Sequence, residues 1–160
     1  MKQLFTLVLL AIFSAELAAQ SFFDNFKARK VSDHVWVIHG PLQQPNPQNR
    51  GFMNNPAFIV ADKGVIVVDP GSSNETGQMV LDRIKQVSNL PVTHVINTHV
   101  HGDHWLGNDQ IKQAYPQALI IADPRMIKKA KAGEGQTWID LLDRLTEGAT
   151  RGTELEYPSK

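Results

Sequence analysis

Apolar positions in this chain fall into three kinds of run. The first, Leu4 to Phe13 within MKQLFTLVLLAIFSAELAAQ, is almost unbroken, follows Lys2 and gives way to small residues. It is too short to cross a bilayer, which takes about 20 apolar residues, and its flanks are those of an export signal. Residues 1–19 are therefore expected to be removed, leaving a mature chain that starts near Gln20. The second kind is extended. DHVWVIHG (Asp33 to Gly40) alternates as a half-buried strand does, and Ala57 to Val60 and Val65 to Val68 flank Asp62-Lys63-Gly64 as a hairpin. VTHVIN (Val92 to Asn97) and ALIIA (Ala118 to Ala122) are rich in β-branched residues and predict two further strands. Both hairpin runs are nearly continuously apolar, the pattern of strands covered on both faces.

The third kind recurs at helical spacing. Leu81, Ile84 and Val87 predict a helix from about Asn74 to Val87, opened by a Ser72/Glu75 capping pattern. DQIKQAY predicts a short helix, and Asp123 as cap with Pro124 at the first position starts another. Trp138, Leu141, Leu142 and Leu145 predict a last helix that stops at Gly148. The prolines and amides of PLQQPNPQNRG predict a loop that continues through NRGFMNNP (Asn49 to Pro56). Strands and helices in this order predict one mixed α/β domain over residues 20–160, since domains usually run to roughly 100–150 residues.

Composition narrows the partners. Lys+Arg and Asp+Glu number 16 each, so no excess charge points to nucleic acid or to an acidic membrane surface. There is no cysteine, so export does not serve disulfide formation and no cysteine is available for a lipid anchor. A soluble, secreted or periplasmic product is expected.

The chemistry concentrates in NTHVHGDHWLGN, Asn97 to Asn108, directly after the predicted strand Val92 to Asn97. Open α/β sheets place ligands at the carboxyl ends of their strands. In an extended segment alternate residues share a face, so His99 and His101 can converge on one ion. Zinc suits imidazole donors, and a catalytic site commonly has three protein ligands and a water. Asp103 and His104, on the turn into the next helix, can face the same cavity and hold a second ion, although Asp103 also fits a plain helix cap. Two ions would clamp and activate one hydroxide. His94 reads as a packed strand residue, His34 and His39 as structural or solvated, Trp105 as packing beneath the cluster, and Trp138 as lying on the apolar side of its helix.

The run His99-Val100-His101-Gly102-Asp103-His104 resembles the His-x-His-x-Asp-His signature of the metallo-β-lactamase-fold hydrolases. GVIVVDPG resembles an earlier signature of that family, in which an aspartate, here Asp69, ends a buried strand just before a helix. The resemblance covers roughly Ser32 to Ala122. It implies an αββα sandwich with a metal site at one edge and a small-molecule substrate. His99 and His101 would hold a first zinc, Asp103 and His104 would serve a second, and Asp103 would manage the proton. Asp69 would orient the metal-binding loop from behind; taken alone, it also suits the first corner of a turn before Pro70-Gly71. The expected reaction is attack by a metal-bound hydroxide on an ester, lactam, lactone or thioester-type substrate.

The chain departs from the family pattern after the cluster. The family completes its site with a further histidine, a bridging aspartate and a last histidine, yet no histidine follows His104. The later aspartates, Asp109, Asp123, Asp140 and Asp143, sit in helical or capping contexts. The sequence is therefore expected to hold the N-terminal half of the sandwich, with apolar strand faces exposed and available for self-association. The competing expectation is an exported, zinc-binding, non-catalytic fragment.

Overall fold

The computed structural model describes residues 22–159, and the expected export signal lies outside the described residues. Six strands form one sheet in sequence order: β1 (Ala28–Ser32), β2 (Val35–Ile38), β3 (Ala57–Ala61), β4 (Gly64–Val68), β5 (Val92–Asn97) and β6 (Leu119–Ala122). β1 to β4 pair antiparallel, while β4, β5 and β6 are parallel. Parallel neighbours need a crossover. Here α1 (Asn74–Val87) joins β4 to β5, and α2 (Gly102–Trp105) with α3 (Asn108–Ala114) joins β5 to β6. α4 (Pro124–Lys129) is joined to α5 (Gly135–Leu145) through Ala130–Glu134, where Gly133 at φ 113° breaks the helix and kinks the chain.

The hydrophobic pattern does not predict β1. ARKVS is mostly charged or small and mostly exposed, as suits an edge strand, and carries no apolar signal of its own. The start of α1 differs by one residue from expectation. Ser73, rather than Ser72, is the cap: its hydroxyl accepts from the Thr76 backbone N–H, and the Thr76 hydroxyl accepts from the Ser73 N–H at 2.9 Å. Glu75 is thereby free for Arg50, whose guanidinium it grips with both oxygens, tying the long loop after β2 to the helix.

The sheet has unlike faces. On one, Phe58, Val65, Val67, Val95 and Ile120 are buried beneath Met79, Val80 and Ile84 of α1 and Ile111 of α3. On the other, the strand register aligns Val35, Ile59, Ile66, His94 and Leu119 in one lateral row and Val37, Ala57, Val68, Ile96 and Ile121 in the next. Ile96, Leu119 and Ile121 in these rows remain 38%, 39% and 36% exposed. The near-continuous apolar pattern predicted cover on both faces; among the described residues only one face is covered.

A second core sits at the carboxyl end of the parallel strands, where Val100, Trp105, Leu106, Ala122, Met126, Ala130 and Leu142 are buried together. Residues 150–159 return across this end: the Asn108 amide donates to the Glu156 carbonyl at 3.2 Å, and the Ser159 N–H donates to the Ile120 carbonyl at 3.0 Å. Among the described residues no helix is long and apolar enough to cross a membrane.

Candidate metal centre

Strand β4 delivers Asp69 to the carboxyl edge of the sheet in a left-handed conformation, φ 52°. Few non-glycine residues adopt this region, and aspartate is among the more tolerant. The backbone is held on both sides: the Asp69 N–H donates to the Ile96 carbonyl at 3.0 Å, and the Asp69 carbonyl accepts from the Asn54 amide at 3.0 Å. The buried carboxylate accepts from three donors. Oδ1 takes the Thr98 N–H at 2.9 Å, while Oδ2 takes the Thr98 hydroxyl at 2.6 Å and faces His104 Nδ1 at 2.9 Å.

Strand β5 delivers the loop that carries the histidines, and a reciprocal amide pair closes its two ends. Asn97 donates to Asn108 at 3.1 Å and Asn108 donates back at 2.8 Å, both side chains being buried. Between them the loop presses closely on its surroundings. A Cβ on Gly107 would stand 2.5 Å from the Pro70 carbonyl oxygen, and one on Gly102 would stand 2.6 Å from Cβ of Trp138. Only glycine fits either position. Trp105 lies fully buried under the loop, its indole N–H donating to the Val100 carbonyl at 2.9 Å.

The candidate residues converge above this platform. The His99 ring lies 4.7 Å from that of His101 and 4.0 Å from that of His104. An imidazole nitrogen from each of His99 and His104 and an oxygen of Asp69 fall within 4.8 Å of one another. Asp103, buried, places Oδ2 3.2 Å from Nε2 of His104. His101 is exposed, and its ring lies 5.0 Å from that of Trp138, so Trp138 meets the cluster as well as the apolar side of its helix. His34 and His39 are exposed, and His94 sits on the open sheet face with Nδ1 3.0 Å from the Thr93 hydroxyl. Sequence reasoning missed Thr98. The available signal was a hydroxyl residue between a strand end and the first histidine.

Three imidazoles and two carboxylates are nitrogen and oxygen donors of the kind that suit zinc and related divalent ions. Although Asp69 is near enough to join them, its oxygens are already engaged by Thr98 and His104, which fits an orienting carboxylate better than a ligand. A groove of about 320 Å³ opens beside His99, lined by Thr98, Val100, Asp123, Arg125, Met126 and Lys129.

The electrostatics of the two inner histidines diverge. Burial and then repulsion from His104 and His101 push the His99 pKa down, against a weaker pull from Asp69 and Asp103. Burial also disfavours the His104 cation, but hydrogen bonds to Asp103 and Asp69 and their charges outweigh it and raise its pKa to about 9. A raised folded pKa stabilises the fold fully below the unfolded value of about 6.5, and this contribution is lost as pH rises through about 9. The urea midpoint of metal-free protein should therefore fall between pH 7 and pH 10, and His104→Gln should flatten that fall. An equal slope in the variant would remove His104 as its source.

The profile of the metallo-beta-lactamase superfamily matches residues 49–156. The chain belongs to the metallo-beta-lactamase superfamily. That match runs past the Ser32 to Ala122 stretch legible in the motifs, through α5 and into the returning segment. Over 71 residues the chain is 34% identical to a protein of Streptococcus pyogenes serotype M6 named "Probable metallo-hydrolase", covering 44% of this chain and 29% of that one. It is 28% identical over 74 residues to a linear primary-alkylsulfatase of a Pseudomonas strain, covering 40% and 14%. The metallo-beta-lactamase of Pontibacter korlensis shares the fold with a TM-score of 0.53 at 20% identity, over 67% of this chain and 47% of that one. The metallo-beta-lactamase FIM-1 of Pseudomonas aeruginosa, in its mono-zinc form, does so with a TM-score of 0.54 at 16% identity, over 67% and 46%. The chain thus spans under a third of these curated superfamily relatives and about half of these solved ones.

Proposed function

We propose that this chain carries the metal-binding edge of a zinc-dependent hydrolase acting on a small ester, lactam, lactone or thioester-type substrate. The observation that carries the reading is the convergence of His99, His101, Asp103 and His104 on one end of the parallel strands, with Asp69 behind them. His99 and His101 would hold a first zinc, and Asp103 and His104 a second. When bound, the metal acidifies water and polarises an oxygen of the substrate.

The chain's own residues supply position and proton transfer. Asp69 holds His104 and the backbone at Thr98, fixing two points of the loop at once. Asp103 is the buried carboxylate facing the cluster, within 3.2 Å of His104, and is the group placed to hold a proton during reaction. The substrate would lie along the groove beside His99. Sulfate esters join the candidate substrates because one relative is an alkylsulfatase. The test is a panel of lactam, lactone, thioester and sulfate-ester substrates offered to zinc-loaded protein and to Asp103→Asn. Chelator-sensitive turnover should drop roughly 100- to 10,000-fold in the variant. Turnover indifferent to both chelator and substitution would refute the reading.

Zinc binding without turnover is the second reading. Tight zinc binding with the whole panel untouched would select it. The open apolar rows of the sheet support self-association of the chain. Export is part of the same proposal, and mass spectrometry of the product from an exporting host should find residues 1–19 gone; their retention in a soluble product would remove that part.

A further inference from the structure

Thr98 stands between the buried carboxylate and the first histidine of the cluster. Its hydroxyl oxygen is 2.6 Å from Asp69 Oδ2 and 2.9 Å from His99 Nδ1. A hydroxyl has one hydrogen to give and lone pairs to accept with, whereas an ionised carboxylate only accepts. Asp69 is already the acceptor for the Thr98 N–H and faces Nδ1 of His104, so the short contact is Thr98 donating to Asp69. The lone pairs that remain on Thr98 can only accept, and the hydrogen between Thr98 and His99 must then sit on His99 Nδ1. Asp69 meets His104 at the same ring atom, Nδ1, directly.

We infer that Thr98 is a positioning residue: its hydroxyl relays Asp69 to His99 and fixes the imidazole with hydrogen on Nδ1 and a free lone pair on Nε2, ready for a metal. One carboxylate thereby sets the orientation of two histidines, His104 by direct contact and His99 through a hydroxyl. The arrangement uses the general rule that a ligating histidine donates its other nitrogen to an orienting acceptor, with a threonine as the acceptor in place of a carboxylate. It rests on the proposal that His99 is a metal ligand.

The experiment compares wild type, Thr98→Val and Thr98→Ser as metal-free proteins at pH 8, where an unprotonated imidazole is the main form. Long-range proton–nitrogen NMR of the His99 ring reads the tautomer. Wild type and Thr98→Ser should show hydrogen on Nδ1, and Thr98→Val, which keeps the shape and loses the hydroxyl, should show a mixture or the other tautomer. Zinc affinity should fall about 10- to 100-fold in Thr98→Val and stay near wild type in Thr98→Ser. Hydrogen on Nε2 of wild-type His99, or an unchanged tautomer in Thr98→Val, would overturn the relay. If Thr98→Val does not fold, the wild-type and serine tautomers still decide. Zinc that leaves the wild-type His99 Nε2 resonance unmoved would overturn the ligand assignment beneath it, a failure distinct from an unchanged tautomer with zinc bound at His99.

Discussion

Replacing His99 and His101 together with alanine will weaken zinc binding by at least ~1,000-fold. Structural zinc sites with four ligands bind with about 10–16 kcal/mol, on the order of 3 kcal/mol per ligand, so two lost imidazoles remove roughly 6 kcal/mol. The fold should survive the change. His101 is exposed and His99 only half-buried, and neither belongs to either apolar core. Calorimetric titration of the double variant against wild type makes the comparison, with the far-ultraviolet spectrum as the control for folding. Equal affinity in the two proteins would place the metal elsewhere.

Trp105→Ala will cost about 3–5 kcal/mol of folding stability, the range for truncating a fully buried aromatic side chain. That is a large part of the roughly 5–15 kcal/mol available to a domain. Two losses combine: the indole fills the second core, and its N–H satisfies the Val100 carbonyl in the middle of the histidine loop. Trp105→Phe restores most of the apolar filling but not the hydrogen bond, so its stability should fall between the two. Urea unfolding checks both variants, and a loss below about 1 kcal/mol in Trp105→Ala would show that the loop does not depend on this platform.

The elements with a strong local pattern were legible in the sequence. Val92–Asn97 and Asn74–Val87 form where the β-branched run and the helical spacing place them. The misses have physical causes. β1 pairs through its backbone and leaves most of its side chains in water, so hydrophobic periodicity carries no trace of it. The capping box fell one residue later because a threonine hydroxyl can do the work assigned to glutamate, and Arg50 claims Glu75 from 25 positions away. The same limit applies at the site. Spacing alone suggests that His99 and His101 share a face, but Thr98 acquires its place only when β4 brings Asp69, 29 positions earlier in the chain, alongside the end of β5.

The amide clasp between Asn97 and Asn108 bears on how the site would handle its ions over time. The loop it closes is shaped by buried contacts to Val100, Pro70, Gly71 and Trp138, none of which involves an ion. Small zinc domains that lack such a scaffold unfold when chelated. Here stripping would leave an empty but standing cage, and refilling would be a matter of dialysis rather than of refolding. Cobalt exchanged for zinc in this way would turn the histidine loop into a chromophore that reports its own occupancy.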